Sequence, residues 1–311
     1  MRLKDVPMDH NCTYDFAYLI SCDYSNPNGD PDFDNRPRTN AETDCGEITS
    51  ECIKRKIRDR VLFVNQYVPR ENCDIFIRTD KALNTKLNEA ADDLGLTNKK
   101  GKSKKAGDDA TADEKNKKDK SALINEYMRN HYFDVRMFGA VMNTGDNPAG
   151  NVTGALQMTE VTSPDPVYIS TFTHTRAAKT KESDQESKEG GVFPRKPLVT
   201  FGLYKGAGRY NAHDGVENGV TDEDLRLFFE SLVTMYDNDL SACRTGLAVE
   251  KLVIFKHNDI LSTGTLKRYK DRLVTEGTFT GEYPQSMEDY NISIDMDNMP
   301  ETVEVYDVDL F

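Results

Sequence analysis

From Thr13 to Cys22 the chain is dominated by apolar, aromatic and β-branched residues, then turns abruptly to Asn, Pro, Gly and Asp. This pattern predicts a strand that enters a loop. The loop, Ser25 to Glu47, is long for a compact domain and is expected to be functional or disordered. Thr49 then stands where a helix cap is needed, ahead of an apolar stripe at Ile53, Ile57, Val61 and Val64. Lys54, Arg55, Lys56, Arg58 and Arg60 flank that stripe, and Glu51 near the start suits the helix dipole.

A second helical spacing, Leu83, Leu87, Ala91 and Leu94, stops at Gly95 and is followed by a polar tract, Asn98 to Lys120, with nine lysines. A tract of this composition cannot bury a core and is expected to be mobile. Another helix is predicted around Leu123 to Tyr132, so that residues 68–133 read as an insertion. Strand-like runs resume at Val135–Met142, Val152–Val161 and Val167–His174. A polar excursion, Thr175 to Arg195, precedes a strand at Leu198–Lys205 and a glycine-rich loop. Thr221 then caps a helix with Asp222, Glu223 and Asp224 in its first turn and a stripe at Leu225, Phe228, Phe229, Leu232, Val233 and Tyr236. Val249–Lys256 reads as the final strand.

With the insertion set aside, the order is strand, helix, three strands, helix, strand. That is an α+β class close to the ferredoxin-like β-α-β-β-α-β pattern, with one surplus strand assignable to a hairpin. Fold alone does not assign function.

The 311 residues are 37% hydrophobic, enough for a core. No run approaches the roughly 20 apolar residues of a membrane span, and the first ten residues have no apolar signal centre, so a soluble, cytoplasmic protein with no membrane partner is expected. Cysteines at 12, 22, 45, 52, 73 and 243 form no C-x-x-C pair, which suits free thiols in a reducing compartment. The net charge of −13 argues against indiscriminate nucleic-acid binding, but it is unevenly spread. Residues 273–311 hold ten acids and no Lys or Arg, leaving the 40 basic residues facing only 43 acidic ones elsewhere. Local basic patches therefore matter.

Catalytic patterns are scarce. His10, His131, His174, His213 and His257 have no metal-ligand spacing, and there is no G-x-S-x-G elbow. Asp30, Asp32 and Asp34 alternate like the start of a calcium loop, but Asn35 and Ala41 occupy the positions that need Gly and Glu, so turn residues are the plainer reading. Gly206 and Gly208 fail both nucleotide-binding fingerprints. Their neighbours Lys205, Arg209 and Tyr210 combine cations with a ring, a mixture suited to single-stranded nucleic acid. Read as a strand, Val135–Met142 puts Met137 on one face and Arg136 and Phe138 on the other, a pair that resembles RNA-recognition sheets; the alternative is that Phe138 is simply buried under the insertion. The strongest basic feature is Lys54 to Arg60, reinforced by Arg36 and Arg38, and it points to phosphate binding.

Asn26-Pro27-Asn28-Gly29-Asp30-Pro31, Asn35-Arg36-Pro37-Arg38, Ile48-Thr49 and Cys52 through Asp59 closely resemble the backbone subunit of CRISPR type I-C Cascade complexes. Val135–Val141, Phe201–Tyr204 and Val249–His257 resemble it too, so that the likeness runs in order from residue 13 to about 270. The resemblance implies a non-enzymatic protein without metal or cofactor, built as a modified RNA-recognition-motif palm with a helical finger insertion and a thumb loop. Its palm would comprise 1–67, 134–174 and 198–272, its fingers 68–133, its thumb 175–197, with an acidic segment at 273–311. Partners implied are CRISPR guide RNA, other copies of the chain, other Cascade subunits and target DNA, which pairs with the guide bases.

By this likeness, the RNA-binding residues are Asn28, Arg36, Arg38, Lys54, Arg55, Lys56, Arg58, Arg136, Met137, Phe138, Arg176, Tyr204, Lys205 and Arg209. The lysines of 99–120 are candidates for contact with displaced or target DNA, and the acidic segment for keeping free subunits soluble or meeting a neighbour. The rival implied by related type III subunits is RNA cleavage by an acidic loop residue, here Asp30, Asp32 or Asp34.

Overall fold

In the first strand, β1 (Tyr14–Ser25), Phe16, Tyr18 and Ile20 alternate with Ala17 and Leu19, and all five are fully buried. Alternating side chains point to opposite faces, so a strand apolar on both must run through the middle of a covered sheet. The computed structural model describes residues 1–96, 110–173 and 195–310 and places β1 there. Short strands β2 (Gly29–Asp30), β3 (Arg36–Pro37) and β4 (Cys45–Ile48) lead into α1 (Ser50–Tyr67). The insertion carries α2 (Leu83–Asp93) and α3 (Ala110–His131). Then come α4 (Phe133–Phe138), β5 (Gly139–Met142), β6 (Gly150–Thr153), β7 (Leu156–Met158), β8 (Val161–Pro166) and β9 (Ile169–Thr173). The remainder is β10 (Arg195–Tyr210), α5 (Ala212–Asn218), α6 (Asp222–Thr234), β11 (Leu247–His257), α7 (Leu266–Arg272), β12 (Leu273–Gly277), β13 (Tyr290–Ile294) and β14 (Val303–Val308).

The main sheet runs β14-β11-β1-β10-β8-β4, with β7 and β9 also pairing β10. β1 is antiparallel to β10, from Tyr14 opposite Tyr210 to Ser25 opposite Val199, and to β11 on its other side. α1 and α6 cover one face. Ile53, Ile57 and Val61 of α1 and Leu225, Phe228, Phe229 and Leu232 of α6 pack with Phe16, Tyr18, Ile20, Leu252 and Ile254. Both helices start where their caps predict: Thr49 accepts the Cys52 N–H at 3.2 Å, and Thr221 and Asp224 form a reciprocal capping box. A separate cluster of Phe76, Leu87, Ala90, Ala91, Ile124 and Met128 holds α2 against α3.

The structure corrects four sequence expectations. Residues 273–310 of the acidic segment pack onto the main sheet. Their apolar residues Leu273, Tyr290 and Val303 join Tyr269 of α7 in covering the second sheet face, against Leu19, Leu203, Val253 and Phe255. β14 extends the sheet beyond β11, so Val249–Lys256 lies in no terminal strand.

Val135–Met142 is not one strand. Its first part is helical, and α4 ends at Gly139, whose φ is +77°. The expected glycine-rich loop is the second half of β10. Gly206 and Gly208 lie beneath the rings of Tyr18 and Phe16, where an added Cβ would sit 2.4 and 2.3 Å from ring atoms. A missing side chain makes room for a cross-strand aromatic here. Finally, the end of the lysine-rich tract, from Ala110, is already α3, since Ala, Glu and Lys are good helix formers. Residues 97–109 and 174–194, including Arg176 and most of the expected thumb, lie outside the described residues.

Candidate nucleic-acid interface

The loop after β1 is held rigidly against the start of α1. Asn28 Oδ1 accepts the Thr49 N–H at 2.9 Å, and the Asn28 carbonyl accepts the Arg38 N–H at 3.0 Å. β2 and β3 pair Gly29 with Pro37 and Asp30 with Arg36, closing a small hairpin over this junction. Asp30 Oδ1 accepts the Asp32 N–H at 3.1 Å, and its other oxygen lies 3.3 Å from Arg38. These are the contacts of a turn that fastens itself.

Beside the hairpin lies an open groove of about 460 Å³, built from segments distant in sequence. Asn26 to Gly29, Asp34 and Asn35 line it together with Cys52 and Lys56 of α1. Arg195 and Lys196 at the start of β10, with Ser241, Cys243 and Arg244, complete it. Lys56 and Arg244 share one carboxylate, Asp239. Four cations, Lys56, Arg195, Lys196 and Arg244, then face two acids, Asp239 and Asp34, so the groove is net positive. The buried Oδ1 of Asn26 has no hydrogen-bond partner among the described residues. Such a groove suits a phosphodiester chain: cations for the phosphates, amides for polar edges.

The basic run on α1 is divided by helical geometry. Arg55 is exposed and among the described residues pairs only with Asp59, Lys56 enters the groove, and Lys54 is half-buried with its amine 6.0 Å from the Phe138 ring centre. Burial lowers the Lys54 pKa, with the Arg58 charge adding to it, against the opposing pull of Glu51 and Glu160. Arg58 turns inward to Asp134. Arg60 binds the end of α6 through Thr234, Asn238 and Asp237. Arg36 is exposed and Arg38 half-buried on the hairpin.

Five nominated residues lie inside the protein. Met137 and Tyr204 are fully buried, and Phe138 packs between Phe133 and Phe228. Arg136 is 5% exposed, with its fork on Asp224 at 2.8 and 3.1 Å and further bonds to the carbonyls of Arg129, Asn130 and Asn72. Arg58 is the fifth. The strand parity that put Arg136 and Phe138 on one sheet face fails because that segment is helical.

Lys205 and Arg209 project to the face covered by α7 and the C-terminal strands. Lys205 donates to the Leu273 carbonyl at 2.7 Å, and Arg209 makes two 2.7 Å bonds to buried Asp15. Sequence reading missed Arg195, Lys196 and Arg244. Arg195 and Lys196 flank a polar excursion and Arg244 sits in a short loop, so no local pattern marks them.

The chain is a mixed α/β protein built on one large antiparallel sheet, with a groove lined by four basic residues at one end of β10. Residues 12–295 match the family of CRISPR-associated protein Cas7, and the chain belongs to that family. It is similar to a chain of a "CRISPR RNA-guided surveillance complex, pre-nicking", at 17% identity over 78% of each chain with a TM-score of 0.48. It is also similar to a chain of a "CRISPR RNA-guided surveillance complex", at 13% identity over 86% of this chain and 78% of that one, with a TM-score of 0.45. No curated protein matches it.

Proposed function

We propose that the chain is a non-catalytic backbone subunit of a type I-C Cascade complex, polymerising along CRISPR guide RNA and leaving the guide bases free to pair with target DNA. The groove between the Asn26–Asn35 loop, Lys56, Arg195, Lys196 and Arg244 carries this reading, because it collects cations from three segments on a chain that is acidic overall. Membership of the Cas7 family supports it, and so does the sheet order β11-β1-β10-β8, with α1 and α6 on one face, which suits an RNA-recognition-like palm. The turn-closing contacts of Asp30 favour a structural over a cleaving role for that loop.

The test is binding of an end-labelled single-stranded guide RNA at several salt concentrations, by the wild type and by Lys56→Glu/Arg244→Glu. The expected result is tight binding that weakens with salt, at a log–log slope of about 0.7 per phosphate contacted, and a weaker, shallower dependence in the variant. Equal binding by the two proteins overturns the groove. Magnesium-dependent breaks in the RNA that disappear in Asp32→Ala or Asp34→Ala would make the chain an RNA-cleaving subunit of type III kind instead.

A further inference from the structure

Tyr24 is the one bulky residue among the described non-glycine residues with positive φ, at +41°; the others are Asp34, Asn35, Asp44, Asn72 and Asn298. Asn and Asp tolerate this backbone region, whereas a tyrosine there is strained. The conformation is clamped from both sides. The Asp23 N–H donates to the Gly246 carbonyl at 2.7 Å and the Asn26 N–H to the Cys243 carbonyl at 2.7 Å. Ser25 Oγ accepts the N–H groups of Thr245 and Gly246 at 3.3 and 2.9 Å. All this ordering delivers a ring to solvent, since Tyr24 is 56% exposed. Its neighbour is Phe172 of β9, itself 37% exposed, with ring centres 6.1 Å apart and planes tilted by 56°.

The pair adjoins the segments that line the cationic groove. Phe172 is directly opposite Lys196 in the β9–β10 ladder, and Lys196, Arg195 and Arg244 line the groove. The loop that clamps Tyr24 contains Cys243 and Arg244, so ring and cations are fixed by the same backbone. Opposite residues of an antiparallel pair share a face, so Lys196 and the exposed ring lie on the same side of the β9–β10 ladder.

We propose that Tyr24 and Phe172 form a stacking platform that receives one unpaired base of the bound RNA while Lys196, Arg195 and Arg244 hold the flanking phosphates. The proposal rests on the guide-RNA reading and adds a base-binding subsite to it. Rings beside a cationic track are the chemistry of sequence-tolerant single-strand binding, because every base has a π face. The strained backbone is the reason to assign the ring to a ligand: with no use for it, Asn or Gly at position 24 would fit the turn with less strain.

The experiment uses the full chain and two probes of equal length, a single-stranded RNA carrying 2-aminopurine and an abasic strand. The wild type should prefer the base-bearing strand and quench its fluorescence. Tyr24→Ala/Phe172→Ala should lose about 5- to 100-fold of that preference with its salt slope unchanged, and Tyr24→Phe should restore it. Tyr24→Gly provides the folding control: it should melt no lower than the wild type and yet discriminate poorly between the strands. Undiminished preference in the double alanine variant overturns the platform and leaves the guide-RNA reading standing. Failure of the wild type to bind either strand overturns both. An altered oligomeric state with unchanged RNA affinity would assign the rings to contact between copies, against the proposal, and a Tyr24→Gly protein that melts below the wild type would assign them to fold support.

Discussion

Arg58 donates through Nε to Asp134 Oδ2 at 2.9 Å, joining α1 to the base of the helical insertion across 76 positions of sequence. The guanidinium lies 4.9 Å from the Phe138 ring centre, and Asp134 also accepts the N–H groups of Phe76 and Ile77 at 2.7 and 3.0 Å. Both side chains are buried. A cation in the middle of the strongest basic run of the chain therefore serves the fold.

Arg58→Ala should consequently destabilise the protein by about 3–5 kcal/mol, the usual result of leaving a buried charge without its partner. Arg55→Ala, which breaks an ion pair with exposed Asp59, should change stability by no more than about 0.5 kcal/mol. Urea unfolding of the two variants checks the contrast. Equal stabilities would mean that Asp134 is held by its two backbone donors alone.

Gly208→Ala should cost about 1–3 kcal/mol through overpacking, because the new methyl would overlap the Phe16 ring and the Gln157 carbonyl, 2.3 and 2.8 Å away. Pairing it with Phe16→Leu should recover part of the loss, a coupling that a double-mutant cycle reads directly. A loop glycine that cradles phosphate would show no such coupling.

Ending the chain after Arg272 should yield an unstable or aggregating protein, although the cut removes ten acids and barely touches the expected palm. It uncovers Leu19, Leu203, Val253 and Phe255 and strips β11 of its neighbour β14. An exposed apolar face and a free edge together are an aggregation hazard. Recovery of a folded, soluble truncated protein with unchanged thermal midpoint would contradict the packing described.

Acid should loosen the insertion through Asp74. Burial pushes the Asp74 pKa up, but the hydrogen bond from Lys86, the Ile75 N–H and the charges of Lys86 and Arg78 outweigh it and hold the carboxyl below its ordinary value. Lys86 is 1% exposed, donates to Asp74 at 2.9 Å and lies 4.5 Å from the Tyr132 ring centre. A carboxylate depressed in the folded state stabilises it fully above the unfolded pKa of about 3.9, and the contribution fades as pH falls through the lower folded value. The stability difference between wild type and Asp74→Asn should therefore be constant near neutrality and shrink below about pH 4. A difference that persists undiminished at lower pH would refer the effect to packing.

Local pattern was enough for the elements whose neighbours in sequence dictate their form. The stripe Ile53, Ile57, Val61 with its Thr49 cap, the stripe beginning at Leu225 with its Thr221 box, and the apolar run of β1 all appear in the structure, because caps and periodicity act over three or four residues. Lys56, Arg36 and Arg38 were also legible as binding candidates from clustered charge, whereas Asn28 was one only through the family resemblance.

What a side chain faces was settled by contacts that no window spans. Arg58 and Lys56 stand two residues apart on one helix, yet Asp134 draws one inside and the groove takes the other. Asp15 and the C-terminal segment occupy the face on which Arg209 and Lys205 would otherwise meet solvent. Arg195, Lys196 and Arg244 became part of a site only when β10 and the Cys243 loop folded beside α1. Sequence fixes charge and local periodicity, but exposure and electrostatic pairing depend on which distant surface is brought near, and only tertiary packing determines that.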